Sequence, residues 1–183
     1  VLTQHPTSGS AQMAGMSTRE YADFVYNAII RDWSEQREFQ EQLVDILDGA
    51  AEVRVVSGDT TDVTMHIDGM LPVNDDAGNN MPGGEVFTAP VKTSVQGEVL
   101  FDMPLVTRGK EVTDVHLEFD DGEVVDYSAS QNEELVGSVL DTDEGARYLG
   151  ELGIGMNRGI DRFTYNMLFD EKMGDTVHMA VGS

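Results

Sequence analysis

Cysteine is absent from the 183 residues, which excludes a disulfide framework, a thiolate metal centre and a cysteine nucleophile. Lysine is nearly absent: only Lys92, Lys110 and Lys172 occur, so arginine supplies most of the positive charge. Eleven basic residues face 34 acidic ones, for a net charge of −23. Nucleic acid is a poor partner for that surface, because phosphate affinity depends on neutralisation by Lys and Arg. An anionic membrane face is disfavoured for the same reason. No apolar run approaches the roughly 18 residues of a membrane helix, and no signal-peptide pattern opens the chain. The serine-hydrolase elbow G-x-S-x-G is missing. GNNMPGGE matches neither a phosphate loop nor a dinucleotide fingerprint.

What is present is a foldable chain with one extreme property. Hydrophobic residues make up 40%, too many for an acidic disordered tail. The acidity then reads as adaptation to high salt, where a Debye length of about 3 Å at 1 M screens the self-repulsion of a compact anion. One domain, or at most two, is expected at this length. The apolar start at Val1 and the stop soon after His178 read as a portion of a longer, cytoplasmic chain, with residues 1–50 a helical lead-in and 51–183 β-rich.

Residues 3–16 are small and polar and read as a loop. Ser17 and Glu20 form a capping box, followed by Tyr21, Phe24, Val25, Ala28 and Ile29 at helical spacing up to Trp33. Ser34 opens a second helix with the stripe Phe39, Leu43, Ile46 and Leu47, stopped at Gly49. The period then switches to two. Strands are expected over 53–56 and 63–67, with His66 half-exposed and His116 structural in a hairpin turned by Asp121-Gly122. Prolines, glycines and asparagines over 72–90 argue against regular structure there. Helices are expected over 131–140 and 143–149. The fold class that follows is α+β: a helical pair, then a mostly antiparallel β-sheet with additional short helices.

Three carboxylates stand at glycine-rich positions rather than on solvated faces. Glu85 follows Pro82-Gly83-Gly84, Glu151 opens ELGIG, and Glu171 lies in a turn seven residues before His178, itself on a strand over 176–181. Carboxylate with imidazole suits zinc, cobalt or manganese. A pair of such ions serves hydrolysis.

The stretches NMPGGEVFTAPV and LDTDEGARYLGELGIGMNRGIDRFTYNMLFDEKMGDTVHMAVG resemble the catalytic part of the thermophilic aminopeptidases, the M29 metallopeptidase family. AGMSTREYADFVYNAIIRDW and DVTMHIDG are also similar to that family's middle region. The resemblance implies a cytoplasmic, homodimeric enzyme that releases N-terminal residues from peptides with two divalent ions. Carried across, it makes Glu85, Glu151, Glu171 and His178 the metal ligands present here, with Glu151 a bridge between the ions. Glu85 is nominated as the catalytic base. The family pattern continues with a tyrosine and a His-x-Asp motif, which this sequence lacks, and with a domain ahead of Val1. Another reading is a non-catalytic acidic domain: a calcium loop at Asp75-Asp76-Ala77-Gly78-Asn79, or an oligomerisation module.

Overall fold

The computed structural model describes residues 1–183. In chain order the elements are β1 (Leu2–Thr3), α1 (Ser8–Met13), α2 (Thr18–Ile29), α3 (Trp33–Asp48), β2 (Glu52–Ser57) and β3 (Thr61–His66). Next come β4 (Val73–Asp75), β5 (Asn80–Met81), β6 (Glu85–Thr88), β7 (Gln96–Phe101), β8 (Leu105–Thr107) and β9 (Lys110–Val112). The chain closes with β10 (Val115–Asp120), β11 (Glu123–Ser128), α4 (Glu133–Leu140), β12 (Leu149–Gly155), α5 (Met167–Asp170) and β13 (Thr176–Val181). This is the expected α+β class. No helix is long and apolar enough to cross a membrane.

Contacts gather into two compact units. One comprises Val1–Leu47, Pro72–Phe87 and Gly153–His178; the other comprises Asp48–Leu71, Thr88–Leu152 and Met179–Ser183.

In the first unit, α2 starts at the capping box read from the sequence. Ser17 Oγ accepts from Glu20 N at 3.2 Å, and Glu20 Oε2 accepts from Ser17 N at 2.8 Å. Its apolar face, Tyr21, Phe24, Val25 and Ala28, packs with Ala11, Ile160, Phe169 and Met173. Ala11 belongs to α1, a helix where a loop was expected. Thr7 caps it by accepting from Ser10 N, and burial of Ala11 against α2 holds a turn too short to persist alone. The expected stripe on α3 is also corrected. Phe39 and Ile46 are 42% and 65% exposed, whereas Gln36 and Gln40 are buried beside Leu47. The helix turns its amides inward because that side meets strand backbone needing hydrogen-bond donors. The segment over 72–90 is more regular than expected. β4 pairs antiparallel with β6, with Asp75 opposite Glu85, and β1 pairs parallel with β5. The sheet to which β4 and β6 belong has the order β13-β12-β6-β4.

The second unit is built on an antiparallel sheet of order β11-β10-β7-β3-β2. Val63, Met65, Val99, Leu117, Phe119 and Val124 are its buried apolar residues. Asp121 and Gly122 both have positive φ, the backbone of a type I′ hairpin. His116 pairs with Glu98 at 2.9 Å, and the His66 side chain is 52% exposed, both as expected. The short helix expected over 143–149 is absent. Asp143 Oδ1 instead accepts from Gly145 N at 2.9 Å, a side-chain turn that competes with helix, and Leu149 already begins β12.

Candidate functional site

The site lies in the first unit and starts from a backbone arrangement. Gly84 has φ 114° and leaves no room for a side chain, since a Cβ there would fall 2.4 Å from Asn157 Cβ. Gly84 N donates to Asp75 O at 2.7 Å, and its carbonyl accepts from Met156 N at 2.7 Å. Glycine is required where chains approach this closely with positive φ, and the next residue is Glu85.

Asn157, fully buried, ties that loop to the others. Its Nδ2 donates to Gly83 O at 3.0 Å and Ala28 O at 3.2 Å, while Oδ1 accepts from Gly159 N and from Arg31. Its backbone N–H donates to Lys172 O at 3.0 Å. From α3, Gln40 Nε2 donates to Glu85 O at 2.9 Å, Asn74 Oδ1 at 2.6 Å and Asp75 O at 3.3 Å. Gln36 in turn donates to Gln40 Oε1 and Met156 O. Backbone on three sides of Glu85 is therefore fixed by buried amide side chains.

At the centre sits Lys172, with 0% exposure. Its Nζ lies 3.0 Å from Glu85 Oε1, contacts Glu171 Oε1, and lies 3.9 Å from Asp75 Oδ2. A lone buried ammonium costs several kcal/mol of hydration by order of magnitude; three carboxylates offset it here. Burial lowers the Lys172 pKa, but Glu171 and Glu85 outweigh that and hold it above its ordinary value. Burial pushes Asp75 up, opposed by Lys172 and reinforced by Glu85. Burial also raises Glu85, yet His178 and Lys172 together hold it below its ordinary value.

The other Glu85 oxygen faces His178. Oε2 lies 3.1 Å from His178 Nε2. Oε2 is buried, and no hydrogen-bond donor other than that imidazole reaches it. Gly153 allows the ring its place, since a Cβ there would fall 2.0 Å from Nε2.

These residues fit a metal ion in part. Two zinc ligands, each about 2.0–2.2 Å from the ion in tetrahedral geometry, are roughly 3.3 Å apart, close to the Oε2–Nε2 separation. The donor chemistry, carboxylate with imidazole, is that of zinc or a neighbouring transition metal. No three His, Cys, Asp or Glu side chains gather into a group that could hold an ion by themselves. Of the four expected ligands, Glu85 and His178 are brought together, and Glu171 joins them through Lys172. Glu151 lies in the second unit, on β12 and half-buried.

Asp75 and Asp76 do not form the calcium loop considered from sequence. Asp75 faces Lys172, and Asp76 pairs with Arg37. Lys172, Asn157, Gln36 and Gln40 were not legible as site residues. A signal existed for two kinds: lysine is rare in this chain, and the glutamines recur at i, i+4.

The family model described as "Thermophilic metalloprotease (M29)" matches residues 1–183. Aminopeptidase 2 of Geobacillus stearothermophilus is 41% identical over 107 residues, covering 56% of this chain and 25% of that protein. Aminopeptidase AmpS of Bacillus subtilis is 38% identical over 108 residues, covering 57% and 26%. The structure of wild-type AmpT from Thermus thermophilus superposes with a TM-score of 0.75 at 28% identity, over 88% of this chain and 45% of that one. A 2,5-dihydroxypyridine dioxygenase from Pseudomonas putida KT2440 shares the fold, with a TM-score of 0.61 at 10% identity over 93% of this chain and 54% of that one. The matched region is thus about a quarter of the length of the two curated relatives.

Proposed function

The chain belongs to the thermophilic metalloprotease family, M29, and from that premise we propose that it is part of a metal-dependent aminopeptidase that releases N-terminal residues from peptides. The observation that carries the reading is the buried approach of Glu85 Oε2 to His178 Nε2 at 3.1 Å. On this reading Glu85 and His178 hold a divalent ion, zinc, cobalt or manganese, with Glu171 as a further ligand of a two-ion site. When bound, such ions polarise a peptide carbonyl and lower the pKa of water. Glu85 accepts the proton of the attacking water. This chain supplies part of the site and of the catalytic domain. The complete enzyme, by family resemblance, is a cytoplasmic homodimer, and the charge of −23 supports work at high salt.

The test uses the intact protein in molar KCl with cobalt or zinc and an aminoacyl chromophore. Release should stop with a chelator and return with metal. It should fall to background in Glu85→Gln and in His178→Ala. Absence of any metal-restored release from folded protein would sink the reading.

A further inference from the structure

Glu85 has two carboxylate oxygens, and the fold assigns them different partners. Oε1 lies 3.0 Å from the Lys172 ammonium, while Oε2 lies 3.1 Å from His178 Nε2. We propose that Lys172 is a positioning residue of the metal site: by holding Oε1 it presents Glu85 through Oε2 alone, on the His178 side. The inference rests on the metal-site reading above and names a role for a residue outside the ligand set.

Three observations support a directed hold rather than a diffuse counter-charge. Lys172 is completely buried, so its ammonium cannot exchange Glu85 for solvent. Its backbone is anchored on both sides, through Lys172 O to Asn157 N at 3.0 Å and through Lys172 N to Phe169 O at 3.0 Å. Nζ also contacts Glu171 Oε1, with Asp75 Oδ2 at 3.9 Å behind it. Those two carboxylates compensate the ammonium independently of Glu85. Ligating carboxylates are commonly oriented by such partners, whose loss costs roughly tenfold to a hundredfold in metal affinity.

The two roles predict opposite signs. A lysine acting only as counter-charge opposes cation binding, so Lys172→Met would bind metal more tightly. A positioning lysine gives the reverse, because Glu85 is freed to rotate. The experiment titrates Co²⁺ into metal-free intact protein at molar salt, reading affinity by calorimetry and coordination by the visible spectrum of Co²⁺. Thermal melts confirm folding of each variant. Wild type should bind, and Glu85→Gln should bind much more weakly. If wild type binds no Co²⁺, or Glu85→Gln binds as wild type does, the metal-site reading fails and this inference falls with it. If those two behave as stated, Lys172→Met should lose roughly tenfold or more in affinity with an altered spectrum. Unchanged or tighter binding by Lys172→Met overturns the positioning role and leaves the metal site standing.

Should Lys172→Met fail to melt cooperatively, Asp75→Asn carries the test. It removes a charge beside Nζ but leaves the hold on Oε1 in place, so the Co²⁺ spectrum and affinity should stay close to wild type. A loss as large as that of Glu85→Gln would show that net charge governs the site and would overturn the proposal.

Discussion

Asp75 and Glu85 face each other directly across the β4–β6 ladder, both almost wholly buried. Like charges at facing strand positions repel, and burial sharpens the repulsion. The pairing persists because Lys172 reaches both from a neighbouring turn, and because Gln40 donates to the backbone carbonyl of each. The ladder is clamped by one amide and its charge partly compensated by one ammonium.

The clamp is testable by itself. Gln40→Leu leaves the buried carbonyl of Glu85 short of a donor, while Asp75 O keeps Gly84 N, and should cost about 1–3 kcal/mol. A thermal melt at molar salt reads it. No drop in melting temperature would mean that the carbonyl finds another donor.

Gly153→Ala should act on function more than on folding. The new methyl would fall 2.0 Å from His178 Nε2, so the ring must leave its place beside Glu85. On the metal-site reading, Co²⁺ affinity measured by calorimetry should fall at least several-fold, while the protein still melts cooperatively. Wild-type affinity in this variant would contradict the placement of His178.

The capping box of α2 gives a pH dependence with a defined sign. The Ser17 side chain and backbone N–H hold Glu20 below its ordinary value of 4.5. A carboxyl lowered on folding contributes stability above its unfolded value and loses it as pH falls through the folded value. Glu20→Gln should therefore lower the melting temperature at neutral pH and narrow the gap to wild type as the pH drops below about 4. A gap that stays constant across the acid range would contradict the charged cap.

Salt should stabilise this protein strongly. With a net charge of −23, dilute buffer leaves the self-repulsion unscreened, whereas 1 M salt shortens the Debye length to about 3 Å. The melting temperature should rise steadily from dilute to molar KCl. Equal melts in both would remove the high-salt reading of the composition.

Local signals were readable where the information is local. The Ser17–Glu20 box, the Asp121-Gly122 turn and the strand after the 170–174 turn each rest on residues within a few positions of one another. The misses have a common cause. Ser8–Met13 becomes helical because Ala11 has α2 to pack against, and α3 buries glutamines in place of Phe39 because strand carbonyls lie on that side.

The sequence by itself determined the acidity, the absence of thiol chemistry, the main helices and hairpins, and Glu85 and His178 as residues worth watching. Only the tertiary structure decided that Glu85 divides its oxygens between Lys172 and His178, and that Asp75 stands behind them. Caps and periodicity are set by neighbours along the chain, whereas this convergence joins residues 75, 85, 172 and 178. It depends on strand register and on buried amides holding distant backbone, which no window of sequence contains.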